Sequence, residues 1–77
     1  MKTKVKEYRL RRNLTQQQLA DLVQVSARTI ISLEKEKYKP SLFLAYKLAL
    51  LFDTSIEELC CMEENMKDEE KKYENLQ

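Results

Sequence analysis

Residues 16–33, QQQLADLVQVSARTIISL, contain two short segments of helical periodicity separated by a break near Gln24. The first segment places three apolar residues on one face, at positions i, i+1 and i+4: Leu19, Ala20 and Val23. In the second segment, Ile30 and Leu33 mark the inward side. Ser26 precedes this segment, where its hydroxyl can accept a hydrogen bond from an unpaired amide N–H. The pattern predicts two helices joined by a short turn, which is typical of a helix-turn-helix.

The length and composition favour one small helical domain. The chain has 77 residues, no glycine and one proline, and it is rich in residues that favour helices. No segment approaches about 20 consecutive apolar residues, and no signal-peptide pattern is present. We therefore expect an all-α, soluble, cytoplasmic protein that has no membrane partner.

The residues that support catalysis or metal binding are sparse. Cys60 and Cys61 are adjacent and histidine is absent, and two cysteines alone do not form an ordinary structural zinc site. We interpret both cysteines as reduced and partly buried, with a redox switch as the alternative. The sequence has no glycine-rich phosphate loop and no recognisable pairing of a nucleophile with a base. We expect no enzyme activity, cofactor or metal, and no small-molecule ligand can be identified.

Charge is distributed unequally along the chain. Residues 1–40 contain ten Lys and Arg against four Asp and Glu, a balance of +6, whereas residues 41–77 have a balance of −5. Binding to a polyanion depends on the local field, so this segregation matters more than the net charge of +1. The basic half contains the helix-turn-helix pattern, which favours nucleic acid as the partner. Charge that only kept the domain soluble would not predict this coincidence.

Caps and turn residues predict the remaining helix boundaries. Five helices are expected, over residues 2–12, 16–23, 27–35, 42–52 and about 56–59. Thr15 and Gln18 form a capping-box pattern before the second helix, and Ser41 caps the fourth. We expect five residues of the fourth helix to close the core: Leu42, Ala45, Leu48, Ala49 and Phe52.

A second stripe on the fourth helix has no assigned partner within the domain. Phe43, Tyr46, Lys47 and Leu50 are spaced i, i+3, i+4 and i+7. We interpret it as a self-association face, with packing against the C-terminal tail as the alternative. The tail is charged and is either disordered or helical, because apolar residues recur there at helical intervals. The candidates for a dimer interface are Phe43, Tyr46, Leu50, Met62 and Met66.

Two stretches, YRLRRNLTQQQLADLVQVSARTIISLEKEKYKPS (residues 8–41) and LAYKLALLFDTSIEEL (residues 44–59), resemble the small XRE or Cro/C1-type regulators of phage-repressor type. The resemblance implies a five-helix, repressor-like DNA-binding domain over residues 1–60, with the motif at about 16–35 and an acidic extension over 61–77. It also implies a homodimer that regulates transcription at a partly palindromic operator, and an ion pair between Arg9 and Glu34 beneath the motif. The sequence departs from the family pattern at Gln24 and Glu36, where glycine is common, and at Ile31, where a polar residue is usual.

Helical geometry and this resemblance together predict the contacts with DNA. The candidates for base contacts are Ser26, Ala27, Arg28, Ile31 and Ser32. The candidates for contacts with the DNA backbone are Gln16, Thr29, Lys35, Lys37 and Lys39. Arg28 is the strongest of these, since its guanidinium can bind guanine O6 and N7 together. A phosphate contact or a solvated side chain is the alternative for Arg28, and surface packing or a dimer contact is the alternative for Ile31.

Two functions therefore follow from the sequence. The first is sequence-specific binding of double-stranded DNA by a homodimeric repressor. The second is a protein-interaction module, antitoxin-like or adaptor-like, that uses the apolar stripe of the fourth helix or the C-terminal tail.

Overall fold

The computed structural model describes the backbone of residues 1–76 and the side chains of residues 1–70. Over this part of the chain the secondary structure is entirely helical, which confirms the all-α prediction. The helices are α1 (Val5–Arg11), α2 (Gln16–Val23), α3 (Ala27–Glu34), α4 (Leu42–Leu51), α5 (Ile56–Leu59) and α6 (Met62–Leu76). The first five correspond to the five predicted helices, and the extension contributes the sixth. Residues 71–77, at the end of the predicted extension, lie outside the range in which side chains are described.

Hydroxyl side chains begin four of the helices. Thr15, Ser26, Ser41 and Ser55 each accept a hydrogen bond from the backbone N–H three residues later, at 3.0–3.2 Å. The amide of Gln18 also accepts from the Thr15 N–H at 2.8 Å, which completes the predicted capping box. Each cap satisfies an amide that has no partner within its helix. The boundaries of α2, α3 and α4 therefore agree with the sequence to within one residue.

Four helices end on a left-handed residue that is not glycine. These residues have φ between 54° and 62°: Asn13, Gln24, Glu36 and Asp53. In each case the next N–H returns to a carbonyl five residues earlier, as in the bond from Lys37 N to Ser32 O at 3.0 Å. Asn and Asp tolerate this conformation better than other non-glycine residues, whereas Gln24 and Glu36 carry its steric cost. A fifth left-handed residue, Cys61, separates α5 from α6, so α5 does not continue into the extension.

The core forms where α2 and α4 pack together and where α3 packs on α2. The five residues that revealed the motif are all buried: Leu19, Ala20, Val23, Ile30 and Leu33. In α4 the structure corrects one prediction, because Leu42 is 74% exposed and Leu44 is buried in its place. At about 100° per residue, Leu42 lies roughly 120° around the helix from buried Leu48, whereas Leu44 lies roughly 40° away. The angular position of each leucine around α4 therefore determines which of the two is buried.

Residues 1–4 do not join the first helix, which corrects the predicted start at residue 2. They contact the C-terminal part of the chain instead. Lys4 N donates to Leu59 O at 2.8 Å, and the Asn65 side chain exchanges hydrogen bonds with the Lys2 backbone at 2.9 and 3.1 Å. Asn65 also donates to Cys60 O at 2.6 Å. These bonds fix the beginning of α6 against the N-terminus.

None of the helices within the described part of the chain is both long enough and apolar enough to cross a lipid bilayer.

Candidate nucleic-acid interface

Helix α3 is fixed from its buried side and capped at its first turn. Ile30 and Leu33 are fully buried beneath it, and Ser26 caps its first amides. The hydroxyls of Ser26 and Thr29 also lie 3.1 Å apart. The eight residues of α3 span roughly 12 Å at 1.5 Å per residue. Of the residues of α3 other than Ile30 and Leu33, Arg28 is exposed to solvent and the rest are half-buried.

The predicted base-contacting residues differ in exposure. Ser26 and Arg28 are exposed at the start of α3, whereas Ile31 and Ser32 are half-buried. Ala27 is also half-buried, and it packs against the core cluster. Arg28 therefore has the longest side chain of the five and is exposed to solvent. Ala27 and Ile31 offer only part of their surface to a partner.

The predicted backbone-contacting lysines follow α3 directly. Lys35, Lys37 and Lys39 are all exposed in the segment before α4. The left-handed turn at Glu36 holds the start of this segment, because Glu36 N donates to Leu33 O and Lys37 N to Ser32 O. The lysines thus add exposed positive charge beyond the C-terminal end of α3 to that of Arg28 near its start. Thr29 is half-buried, and its hydroxyl is engaged with Ser26.

Arg9 and Glu34 form a buried ion pair at the C-terminal end of α3. Arg9 donates to both carboxylate oxygens of Glu34, from Nε at 2.7 Å and from Nη2 at 3.1 Å. Its third nitrogen, Nη1, donates to Leu14 O at 2.8 Å. The two side chains are only 9% and 4% exposed, so the pair that the resemblance implied is present and is desolvated. It joins α1 to the last residue of α3.

Gln16 takes part in the same network, which the sequence did not reveal. Its Nε2 donates to Glu34 Oε1 at 3.2 Å. Gln16 and Glu34 are 18 residues apart, and no periodicity within either helix relates them. Only the packing of α2 against α3 brings the two side chains together. Gln16, which the sequence predicts to contact the DNA backbone, is therefore half-buried and hydrogen-bonded to another residue of the protein.

The cations of the N-terminal half divide into two groups. Among the described side chains, ion pairs engage Lys2 with Glu64, Lys4 with Glu58, Arg9 with Glu34 and Arg11 with Glu7. The Glu58 carboxylate, which accepts a hydrogen bond from Lys4 at 2.6 Å, raises the pKa of the Lys4 ammonium. None of the ion pairs within residues 1–70 involves Arg28, Lys35, Lys37 or Lys39. Lys6 and Arg12, in α1 and directly after it, are also without an ion pair among these residues. Four of the six cations of this half that have no carboxylate partner are therefore on α3 and the segment after it.

The two cysteines lie in the connection between α5 and α6. Both are unbridged; Cys60 is buried and Cys61 half-buried. Burial raises the pKa of each thiol above its ordinary value, so both are protonated at neutral pH. Among the described residues, no cluster of three His, Cys, Asp or Glu side chains is arranged to hold a metal ion.

The five candidate dimer-contact residues are all solvent-exposed. Phe43 is 80% exposed, and Tyr46, Leu50, Met62 and Met66 also contact solvent. Leu42 adds to this apolar surface, since it too is exposed. Lys47, on the same side of α4 by its spacing, donates to Gln24 Oε1 at 3.3 Å. The exposed face of α4 therefore adjoins the turn between α2 and α3.

Sequence comparison agrees with this architecture. A model of the helix-turn-helix family matches residues 5–59, which include α1 to α5. An uncharacterized HTH-type transcriptional regulator of Archaeoglobus fulgidus is 48% identical over 64 residues, covering 83% of this chain and 90% of its own. One from Methanocaldococcus jannaschii is 49% identical over 65 residues, covering 84% and 98% respectively. One from Bacillus subtilis is 41% identical over 64 residues, covering 83% and 97%.

The chain belongs to the XRE or Cro/C1-type helix-turn-helix family of small DNA-binding transcription regulators.

Proposed function

We propose that this protein is a repressor that binds a partly palindromic DNA operator as a homodimer. The observation that carries the proposal is that four exposed cations without carboxylate partners among the described residues lie together on α3 and on the segment that follows it: Arg28, Lys35, Lys37 and Lys39. A helix-turn-helix dimer presents its second helices to successive major grooves, about 34 Å apart. Occupying a promoter in this way blocks transcription from it.

Arg28 is the principal base-reading residue in this proposal. It is exposed at the start of α3, the end that approaches base edges when such a helix docks. A bidentate bond from its guanidinium to guanine is worth about 1–3 kcal/mol of discrimination. Ser26 and Ser32 would donate hydrogen bonds beside it, and Ala27 and Ile31 would contact thymine methyl groups with their exposed surface.

The remaining contacts would hold the DNA backbone. Lys35, Lys37 and Lys39 are exposed after α3, and lysines placed there bind phosphates without regard to sequence. Gln16 and Thr29 would add neutral hydrogen bonds to the sugar-phosphate backbone. These groups set the affinity and its dependence on salt, because each phosphate that is neutralised releases counterions.

The proposed dimer interface is the exposed side of α4. This helix is apolar on both sides, since Leu44, Ala45, Leu48 and Ala49 face the core while Phe43, Tyr46 and Leu50 face solvent. A helix that is apolar on all sides is normally covered on all sides. A second copy of α4 offers the same surface, and Met62 and Met66 could extend the contact.

Selection of bound sequences from random duplexes tests this function directly. A partly palindromic consensus is expected, with half-sites about one helical turn apart. Anisotropy titrations at several salt concentrations would then measure its affinity against that of a scrambled duplex. Equal affinity for the two duplexes would contradict sequence-specific repression.

A second candidate function is an antitoxin-like or adaptor module. It is favoured by a groove of about 300 Å³ whose lining includes Met1, Lys39, Met62 and Met66. Together with the exposed side of α4, this groove offers apolar surface to a different protein. A stoichiometric partner that is lost when α6 is truncated would support the adaptor function. A symmetric homodimer that buries Phe43 would contradict it.

A further inference from the structure

The side chain of Glu34 accepts hydrogen bonds from two other elements at a single oxygen atom. Oε1 accepts from Arg9 Nη2 at 3.1 Å and from Gln16 Nε2 at 3.2 Å, while Oε2 accepts from Arg9 Nε at 2.7 Å. Glu34 is the last residue of α3, and Gln16 is the first of α2. One nearly buried carboxylate thus joins the end of α3 to the start of α2.

This bond determines how the Gln16 amide is oriented. A carboxylate can only accept hydrogen bonds, so the nitrogen of the Gln16 amide must face Glu34. That nitrogen carries two N–H groups, and Glu34 occupies one of them. None of the hydrogen bonds described for residues 1–70 engages the second N–H, and Gln16 is only half-buried, so this N–H is available to an acceptor outside the protein. In the reverse orientation, a carbonyl oxygen would face Glu34 and would be repelled by it.

Arg9 makes this arrangement compatible with DNA. A carboxylate near a phosphate would repel it, but the bidentate bond from Arg9 compensates the charge of Glu34. Arg9 is itself held by Leu14 O at 2.8 Å, in the connection that leads into α2. The network is therefore neutral overall and is anchored in the fold.

We infer that Glu34, neutralised by Arg9, is a positioning residue for DNA binding: it holds the Gln16 amide so that its second N–H donates to a phosphate. This inference rests on the proposed function, since it requires Gln16 to contact the DNA backbone. It assigns the buried pair a role in affinity that is separate from any contribution to folding. The contact reads no bases, so its loss weakens binding to every duplex equally.

A double-mutant cycle tests the inference. Gln16→Ala should weaken binding about ten-fold, the effect expected for a hydrogen bond to a charged group, on both the selected and the scrambled duplex. Arg9→Met combined with Glu34→Met removes the network while keeping its volume apolar, a replacement that often preserves or raises stability. This variant should also bind about ten-fold more weakly. Adding Gln16→Ala to it should then change affinity by less than about two-fold, because the two changes remove one interaction.

Gln17→Ala is the matched control. Gln17 neighbours Gln16 on α2, and its amide bonds to Asp21 at 2.8 Å rather than to Glu34. Its removal should leave the affinity within about two-fold of the wild-type value, as for an ordinary surface substitution. Melting curves of every variant measure folding separately from binding.

Two outcomes of the cycle would overturn the inference. The first is wild-type affinity in the methionine double variant. The second is the same ten-fold loss from Gln16→Ala in both backgrounds, which would mean that Gln16 acts without Glu34. Absence of binding by the wild-type protein to any duplex would overturn the proposed function and this inference together, so the two failures are distinguishable.

Side-chain amide resonances of wild-type Gln16 give a test that does not depend on how the methionine variant folds. On titration with the selected duplex, one Nε2 proton should shift with DNA occupancy while the proton bonded to Glu34 keeps its position. Movement of both protons to the values of a solvated amide would show that the Glu34 bond breaks on binding, and would refute the positioning role.

Discussion

Helices α3 and α4 are of similar length and bury similar apolar faces, yet their outer faces are chemically opposite. α3 covers Ile30 and Leu33 and presents Arg28 and polar groups to solvent. α4 covers Leu44 and Leu48 and presents Phe43 and Leu50. The buried faces explain why both helices form. We propose different partners for the two exposed faces, a polyanion for α3 and a protein surface for α4.

The largest expected effect is the difference in stability loss between a substitution on a buried face and one on an exposed face. Leu33→Ala should lower the free energy of unfolding by about 2–5 kcal/mol, because it deletes a fully buried side chain. Leu50→Ala should change it by less than about 0.5 kcal/mol, as expected for an exposed position. Urea unfolding at low protein concentration, where association does not contribute, measures both. Equal losses would mean that the outer face of α4 contributes to the fold of a single chain.

A charge on the outer face of α4 should prevent association. Phe43→Glu places a carboxylate in the proposed interface, and we expect the dimer dissociation constant to rise at least about 100-fold, or roughly 2.7 kcal/mol. Analytical ultracentrifugation over a concentration series measures this shift, with Phe43→Leu as the conservative control. A dimer of unchanged strength in the Glu variant would exclude this face as the interface.

The outer face of α3 should divide into residues that read bases and residues that hold phosphates. Arg28→Ala is expected to cost about 1–3 kcal/mol at one base pair and to relax specificity there. Lys37→Ala should weaken binding to all sequences alike and lower the salt slope by about one. Titrations on the selected duplex and on its single-base variants distinguish the two. A uniform loss from Arg28→Ala would instead indicate a phosphate contact.

The smallest effects concern how the two helices end. α3 is followed by left-handed Glu36 and α4 by left-handed Asp53, with φ of 62° and 54°. Glu36→Gly should raise stability by about 1 kcal/mol, because glycine relieves a steric cost of about 1–2 kcal/mol but loses more chain entropy on folding. Asp53→Gly should change it by less than about 0.5 kcal/mol, since Asp tolerates this conformation. Thermal unfolding of both variants would test the difference, and a larger gain at Asp53 would contradict the steric explanation.

Local signals were sufficient for the motif. Apolar spacing within α2 and α3, together with hydroxyl caps at Thr15 and Ser26, predicted the boundaries of these two helices to within one residue. These signals act over one helical turn, so a sequence displays them directly. α4 was harder because its apolar residues occupy both faces. Periodicity alone placed Leu42 in the core, which was wrong. Apolar residues occur on several sides of this helix, so their spacing does not by itself identify the buried ones.

The sequence by itself determined the helix-turn-helix, the basic half that contains it and the exposure of Arg28, because each depends on residue type and on spacing along one helix. Tertiary structure alone decided that Leu44 rather than Leu42 enters the core, that residues 1–4 contact α5 and α6 rather than extend α1, and that Gln16 bonds to Glu34. These contacts join residues that are distant along the chain. No local periodicity encodes them, so they exist only once the helices have packed.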